Sequence, residues 1–317
     1  MSITVYAPAS IGNLGVGYDL LGAALAPIDD SLLGDKITIE AASDGIKLVL
    51  SGSWAHDLPA DNKLNTVYQC AVFFVDIMQQ LHSQRHGTGL VIHLEKNLPV
   101  GSGLGSSASS VVAALYGLNE YFDKPYSDNK LLALMAKFEG QISGSVHYDN
   151  IAPSFLGGIQ LNLGLAEQLT DSIPAFDSWY WVVAYPGTPL STMKMRQLLP
   201  REYPKGKVIE YGRNISAFIH ASYKQDQQLA INVLKDVIAE PFRAPAIDGF
   251  QQARNELSEL NMLASGISGS GPTLFSITDD LVKAKQAKAI LEQQYACAPS
   301  GFVYICKIDH QGARRIH

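Results

Sequence analysis

The sequence of 317 residues predicts an α+β protein of two domains. Three observations carry that expectation. An alternating apolar stretch over 90–95 runs into Leu98-Pro99, then a glycine- and serine-rich loop, then an apolar helix-compatible segment, so that strand, loop and helix follow one another. The second half opens on the β-prone run WYWVVAY at 179–185, passes through long helical patterns and closes on strands at 273–277 and 302–308. Polar, proline-containing sequence at 165–178 lies between the halves. Residues 1–168 and 169–317 are therefore expected as N-terminal and C-terminal domains.

Taken in order, apolar alternation and β-branched residues place strands at 3–7, 36–41, 47–50 and 90–95. Helical periodicity covers 65–81, 107–121 and 129–139, and 157–163 can return as a strand. After the aromatic strand, helical patterns run over about 212–238, 247–260 and 280–294. No repeat or low-complexity segment interrupts them.

Composition narrows the function classes. A hydrophobic content of 47% with 17% charged residues suits a chain with a substantial core. The net charge of −6 argues against a general nucleic-acid surface, and Arg314-Arg315 reads as a solvated pair near the C-terminus. Neither a signal peptide nor an apolar run of bilayer length is visible, so a cytoplasmic protein without membrane contact is expected. Cys70, Cys297 and Cys306 form no C-x-x-C pair and read as reduced packing thiols. The 8 histidines show no H-E-x-x-H spacing, which argues against a tightly held structural metal.

The most informative stretch is LPVGSGLGSSASSVVA at 98–113. Glycines at 101, 103 and 105 let backbone approach a ligand closely, and the amides that open the following helix can face an anion. A Walker loop needs a lysine before its Ser/Thr, and no lysine lies between Lys96 and Lys124. A dinucleotide loop needs G-x-G-x-x-G and an acid on the next strand. Here the spacing is G-x-G-x-G, and Glu120 falls within or just after the helix. Two readings remain open on the residues alone: a strand–helix turn with capping serines, or a lysine-free nucleotide loop.

The segment P-V-G-S-G-L-G-S-S-A-S resembles the second motif of the GHMP kinases, the family named for galacto-, homoserine, mevalonate and phosphomevalonate kinases. APASIGNLGVGYDLLG at 7–22 is similar to the family's first motif, and GISGSGP at 266–272 to its third. Within the family the resemblance runs to the homoserine kinase branch, through NLGVGYD at 13–19, HYDN at 147–150, STMKMR at 191–196 and EPFR at 240–243. Ile11-Gly12 departs from the small polar residues common there, which bears on local loop packing. The resemblance implies a GHMP kinase fold, with a left-handed βαβ unit in the N-terminal domain and a ferredoxin-like α/β sandwich in the C-terminal one. It also implies a homodimer, ATP and Mg²⁺ as cosubstrate and cofactor, and phosphorylation of the hydroxyl of L-homoserine, with L-threonine as a possible inhibitor.

The same resemblance assigns residues. Pro99, Gly101, Ser102, Gly103, Leu104, Gly105, Ser106 and Ser107 are expected around the triphosphate. Ser107 and Glu139 are expected on Mg²⁺, a hard cation that takes oxygen ligands. Asn62 and Asn65 are expected near adenine, although Asn65 serves equally well as a helix N-cap. Arg196 and Arg243 would hold the substrate carboxylate, because guanidinium presents a planar two-donor fork. Asp19 would meet the ammonium, with Asn13, His147, Thr192 and Gly269 beside the same substrate. The third glycine motif, around Ser268–Gly271, would close over the acceptor and the moving phosphate.

Asn150 is expected near the reacting hydroxyl, where several relatives carry an aspartate base. A carboxamide is not basic at neutral pH. Asp149 is adjacent and is expected to point elsewhere and brace the loop. On this reading no dedicated carboxylate base operates, and attack rests on alignment and charge stabilisation.

Overall fold

The computed structural model describes residues 2–81, 89–143 and 146–316. The first half contains β1 (Ser2–Pro8), β2 (Ser10–Gly12), β3 (Leu21–Pro27), β4 (Gly34–Ala42) and β5 (Ile46–Ser51). It continues through α1 (Thr66–Leu81), β6 (Gly89–Glu95), α2 (Ser106–Tyr121), α3 (Asp128–Ser143), α4 (Ile151–Leu156) and β7 (Ile159–Asn162). The second half contains β8 (Thr170–Ile173), β9 (Tyr180–Tyr185), α5 (Thr192–Gln197), α6 (Lys205–Lys224), α7 (Gln227–Val233) and α8 (Glu240–Arg243). It ends with α9 (Phe250–Glu259), β10 (Ala264–Ile267), β11 (Leu274–Thr278), α10 (Leu281–Gln294), β12 (Phe302–Ile308) and β13 (Arg314–Ile316).

Two sheets organise the molecule. One has the order β13-β1-β4-β6-β5 and is antiparallel except for β5 and β6, which α1 joins as a parallel βαβ unit. Helix α2 lies directly on this sheet. It is buried on nearly every side, as expected of a helix apolar all round. Gly117 makes the close approach possible, since a Cβ there would stand 3.0 Å from Val5 Cγ2 and 3.1 Å from Ile39 Cδ1. Val111, Val112, Leu115 and Leu118 fill the core with Ile37, Ile39, Ile92 and Phe74.

The second sheet has the order β10-β11-β9-β12-β3-β7-β8, with β2 on β3. Its C-terminal part follows the β-α-β-β-α-β order of ferredoxin-like units, with β9 and β11 central and β10 and β12 flanking. Trp179, Trp181 and Phe275 form its aromatic core with Leu21 and Leu25 of β3.

The sheets do not separate at residue 168. Strand β3 pairs with β12, and β13 pairs with β1, so each half of the chain completes a sheet of the other. Strand β3 reads LGAALAP, too alanine-rich to signal a strand by propensity. Its glycine is required by packing, because a Cβ on Gly22 would overlap the carbonyl of Asp149.

Two expectations are corrected. The helix expected over 212–238 is broken: Gln225 takes the left-handed conformation at φ 55°, and Asp226 restarts the chain by accepting the N–H of Leu229 at 3.0 Å. The Arg314-Arg315 pair is also more than a solvated end. Arg314 Nη1 donates to Asp309 Oδ2 at 2.9 Å, and its guanidinium sits 4.8 Å from the Tyr6 ring centroid. No helix among the described residues is long and apolar enough to cross a membrane.

Candidate active site

The three glycine-bearing segments converge on one cavity of about 530 Å³. It lies where the glycine loop before α2 meets the 13–19 turn, the 147–151 segment, the start of α5, Arg243 of α8 and the Gly269-Ser270 turn.

The loop holds its shape through backbone that favours glycine and through close contacts that leave no room for a side chain. Gly103 has φ 84°, and a Cβ there would stand 2.5 Å from the Ser268 carbonyl, so the second and third glycine motifs touch back to back. Ser268 Oγ closes the contact by donating to the Gly103 carbonyl at 2.6 Å. Helix α2 begins after Gly105 with no side-chain cap, leaving its first amides open toward the cavity.

Beneath the loop lies a buried ion pair that the motif reading did not identify. Lys96 is 1% exposed and Asp35 0%. Lys96 Nζ donates to Asp35 Oδ2 at 2.5 Å, to the Ser106 carbonyl at 2.8 Å and to Ser110 Oγ at 3.0 Å. Asp35 Oδ1 accepts the N–H groups of Asn97 at 2.8 Å and Leu98 at 3.2 Å. The pair therefore ties the chain entering the loop to the helix leaving it.

On the α2 side of the cavity, Ser107 Oγ donates to Glu139 Oε2 at 2.6 Å. Burial pushes the Glu139 carboxyl above its ordinary range, against the Ser107 hydrogen bond and the Lys96 charge, which pull it down. A hydroxyl and a carboxylate side by side at a helix start form a hard-oxygen donor set, and they fit Mg²⁺ with waters completing its shell.

The 13–19 turn is wound with positive φ at Asn13 (69°), Leu14 (48°) and Asp19 (58°). Asn13 Oδ1 accepts the Asp19 N–H at 3.0 Å, and its Nδ2 donates to the Gly269 carbonyl at 3.0 Å. Asp19 Oδ1 lies 3.3 Å from Arg196 Nη2 and 3.5 Å from His147 Nδ1. Burial lowers the His147 pKa, opposed by the Asp19 charge and assisted by Arg196. Arg243 is 3% exposed, donates to the Gly269 carbonyl at 2.9 Å and lies 5.4 Å from the Tyr18 ring centroid. Asp236 ties down the turn that leads into α8, accepting the N–H groups of Ile238, Ala239 and Glu240. Thr192 Oγ1 is 3.3 Å from Ser270 Oγ.

The cavity thus brings together Asn13, Asp19, Gly101, Ser102, Gly103, Gly105, Ser106, Ser107 and Glu139 from the first half of the chain. His147, Asn150, Thr192, Arg196, Arg243 and Gly269 line it as well. Four other expected residues do not. Pro99 lies outside the lining, and Leu104 is wholly buried under the loop. Asn62 spends its amide on the Leu48 carbonyl at 3.0 Å. Asn65 Oδ1 accepts the Val67 N–H at 2.9 Å, which is the capping role. Its Nδ2 is buried without a hydrogen-bond partner.

Tyr18 and Asp149 also line the cavity. The expectation that Asp149 points away is corrected. Neighbouring side chains diverge on a regular strand, but residues 149–150 form a turn before α4, and both Asp149 and Asn150 line the cavity. Ser10 Oγ donates to Asn150 Oδ1 at 3.0 Å, and Asn150 Nδ2 donates to Asp149 Oδ2 at 3.3 Å. Gly12, the departure noted in the first motif, has a reason here: a Cβ on it would overlap Asp149 Oδ2.

Comparison with known proteins identifies the family and the fold. Residues 65–158 match the model of the GHMP kinases N terminal domain, and residues 219–297 match that of the GHMP kinases C terminal, together more than half of the chain. The fold superposes on the homoserine kinase of Cytophaga hutchinsonii with a TM-score of 0.88 and 27% identity, covering 99% of this chain and 97% of that one. Mevalonate kinase of Methanococcus jannaschii matches at TM-score 0.67 and 15% identity, over 97% of this chain and 98% of its own. A 4-(cytidine 5'-diphospho)-2C-methyl-D-erythritol kinase matches at TM-score 0.60 and 19% identity, over 97% and 99%. At such identities the last two show the fold alone.

Proposed function

The chain belongs to the GHMP kinase family, with its two-domain α+β fold, and from that premise we propose that this ATP-dependent small-molecule kinase phosphorylates the side-chain hydroxyl of L-homoserine. The observation that carries the substrate reading is the pairing of opposite charges in one cavity. Arg196 and Arg243 stand with Asp19 and His147, close to the Ser107–Glu139 pair. A substrate held there has a carboxylate for the arginines and an ammonium for Asp19. Mevalonate has a carboxylate and no ammonium. The likeness to a homoserine kinase at 27% identity points the same way.

In this reading the glycine loop and the open amides of α2 seat the triphosphate, with Ser107 and Glu139 holding Mg²⁺. The metal, when bound, neutralises charge on the β- and γ-phosphates. Asn13 orients the substrate through the Gly269 turn it braces, and Thr192 and Ser270 border the same pocket. Asn150 directs the hydroxyl by its carboxamide. Asn62 is committed to the Leu48 carbonyl and Asn65 to the Val67 amide, so the adenine contact is not assigned to either. Residues 1–168 would carry the nucleotide and 169–317 the arginines. A homodimer, and inhibition by L-threonine through the shared amino-acid end, belong to the same proposal.

Arg196→Ala tests the pocket. Loss of charge-assisted hydrogen bonds of about 1.5–3 kcal/mol is expected to raise KM for homoserine about 10- to 150-fold while KM for ATP stays within about twofold. Arg243→Lys is expected to act in the same direction, because an ammonium cannot reproduce the fork. Steady-state kinetics in both substrates check this. An unchanged homoserine KM in both variants would count against the pocket.

A further inference from the structure

We propose that Glu240 is a positioning residue for the substrate pocket: paired with Arg254, it locks α8 against β10 so that the Arg243 guanidinium and the Gly269 turn keep one fixed relation. This rests on the homoserine reading above and deepens it, since neither Glu240 nor Arg254 lines the cavity.

The EPFR segment has to place a side chain from very little helix. Helix α8 is a single turn, Glu240–Arg243, too short to hold itself by its own hydrogen bonds. Yet it carries Arg243, which is buried and donates through Nη1 to the Gly269 carbonyl at 2.9 Å. The same carbonyl accepts Asn13 Nδ2 at 3.0 Å. One oxygen therefore joins the substrate arginine, the 13–19 turn and the third glycine motif. Its place depends on what anchors both α8 and the strand that leads to the turn.

Glu240 anchors both. It is 7% exposed, and its Oε1 accepts from Arg254 Nη1 of α9 at 2.5 Å. Its Oε2 lies against β10, where a Cβ on Gly266 would stand 3.2 Å away, so the glycine leaves room for the carboxylate as well as for the Phe275 ring. Burial pushes the Glu240 carboxyl above its ordinary range and Asp236 adds to the rise, while Arg254 and the Ile267 N–H draw it down. Strand β10 ends at Ile267, two positions before Gly269. Arg254 is Glu240's only cationic partner among the described residues. Without it, the buried carboxylate can be relieved only by turning α8 toward solvent, and Arg243 would turn with it. A guanidinium fork makes two parallel bonds to a carboxylate, so a shift of about 1 Å is enough to weaken its grip.

The test compares wild type, Arg254→Met and the double variant Glu240→Gln/Arg254→Met. Homoserine binding is measured by isothermal titration calorimetry, kinetics in both substrates by ADP release, and stability by urea denaturation. In Arg254→Met the Kd and KM for homoserine are expected to rise about tenfold or more, with a smaller change in kcat, while KM for ATP stays within about twofold. The double variant leaves no charge stranded, so its stability is expected to recover while homoserine binding stays weak. A pair serving stability alone would give the opposite: affinity that returns with stability in the double variant would overturn the proposal. So would homoserine Kd and KM within twofold of wild type in Arg254→Met, or a fall in kcat at unchanged KM. Should Arg254→Met be too unstable to assay, the double variant decides by the same twofold criterion. Wild type that fails to bind homoserine would overturn the substrate reading and this proposal with it, whereas wild type that binds it alongside variants that bind it equally well overturns this proposal only.

Discussion

Lys96→Met is expected to destabilise the protein by about 3–5 kcal/mol, the range for removing one partner of a buried ion pair. The magnitude follows from what is left behind. Asp35 is wholly buried, and without Lys96 its carboxylate loses its only cationic partner among the described residues. Both its oxygens are engaged as acceptors: Oδ1 by the amides of Asn97 and Leu98, Oδ2 by Ser110. Urea denaturation at neutral pH measures the effect. The double variant Lys96→Met/Asp35→Asn is expected to be more stable than the single one, since asparagine still accepts the two loop amides and no charge remains buried. The folded fraction of Lys96→Met should also show a raised KM for ATP with little change for homoserine, because the pair joins the two ends of the nucleotide loop. A stability loss below 1 kcal/mol would mean that the loop does not depend on the pair.

Glu139→Gln is expected to lower kcat by about 100- to 1,000-fold, the scale for removing a group that stabilises transferring charge. Glutamine keeps the shape and can still accept from Ser107, so the loss reports charge and metal affinity. Tenfold or more additional Mg²⁺ should be needed for half-maximal rate. Stability should move the other way. The Glu139 carboxyl is raised by burial, and a group whose folded pKa is raised contributes stability below its unfolded pKa and loses it as pH rises through the folded value. At pH 8 the ionised glutamate is therefore unfavourable to the fold, and metal-free Glu139→Gln should unfold at equal or higher urea than wild type. Loss of activity without loss of stability marks a residue retained for chemistry. A variant that turned over normally would remove Glu139 from the metal site.

What the sequence made legible follows chemical type. The glycine loop is readable because a strand, positive-φ glycines and an uncapped helix start must be adjacent in sequence. The arginines are readable only through motifs, since Arg196 and Arg243 lie 47 positions apart and nothing local distinguishes them from surface charges. Strand β3 is hidden because its alanines give no strand signal and packing, not propensity, requires its glycine. The Lys96–Asp35 pair is hidden because its partners are 61 positions apart, and Lys96, read alone, serves only to exclude a Walker loop. Asp149 is missed by applying strand alternation to a turn. The break at Gln225-Asp226 carries an N-cap signal that the longer helical period conceals. Residues whose role depends on the exchange of strands between the halves, such as Arg314, are legible only in the folded chain.

The central claim is that one cavity grips an amino acid by both charged ends beside a magnesium-bound triphosphate. The most direct measurement supplies purified protein with ATP and Mg²⁺ and offers, in turn, L-homoserine, 4-hydroxybutanoate, 3-aminopropan-1-ol and mevalonate, following ADP release and identifying the product by phosphorus NMR. The account predicts O-phospho-L-homoserine, no turnover of mevalonate, and a kcat/KM at least about tenfold lower for each analogue lacking one charged end. Phosphorylation of mevalonate without phosphorylation of homoserine would contradict it.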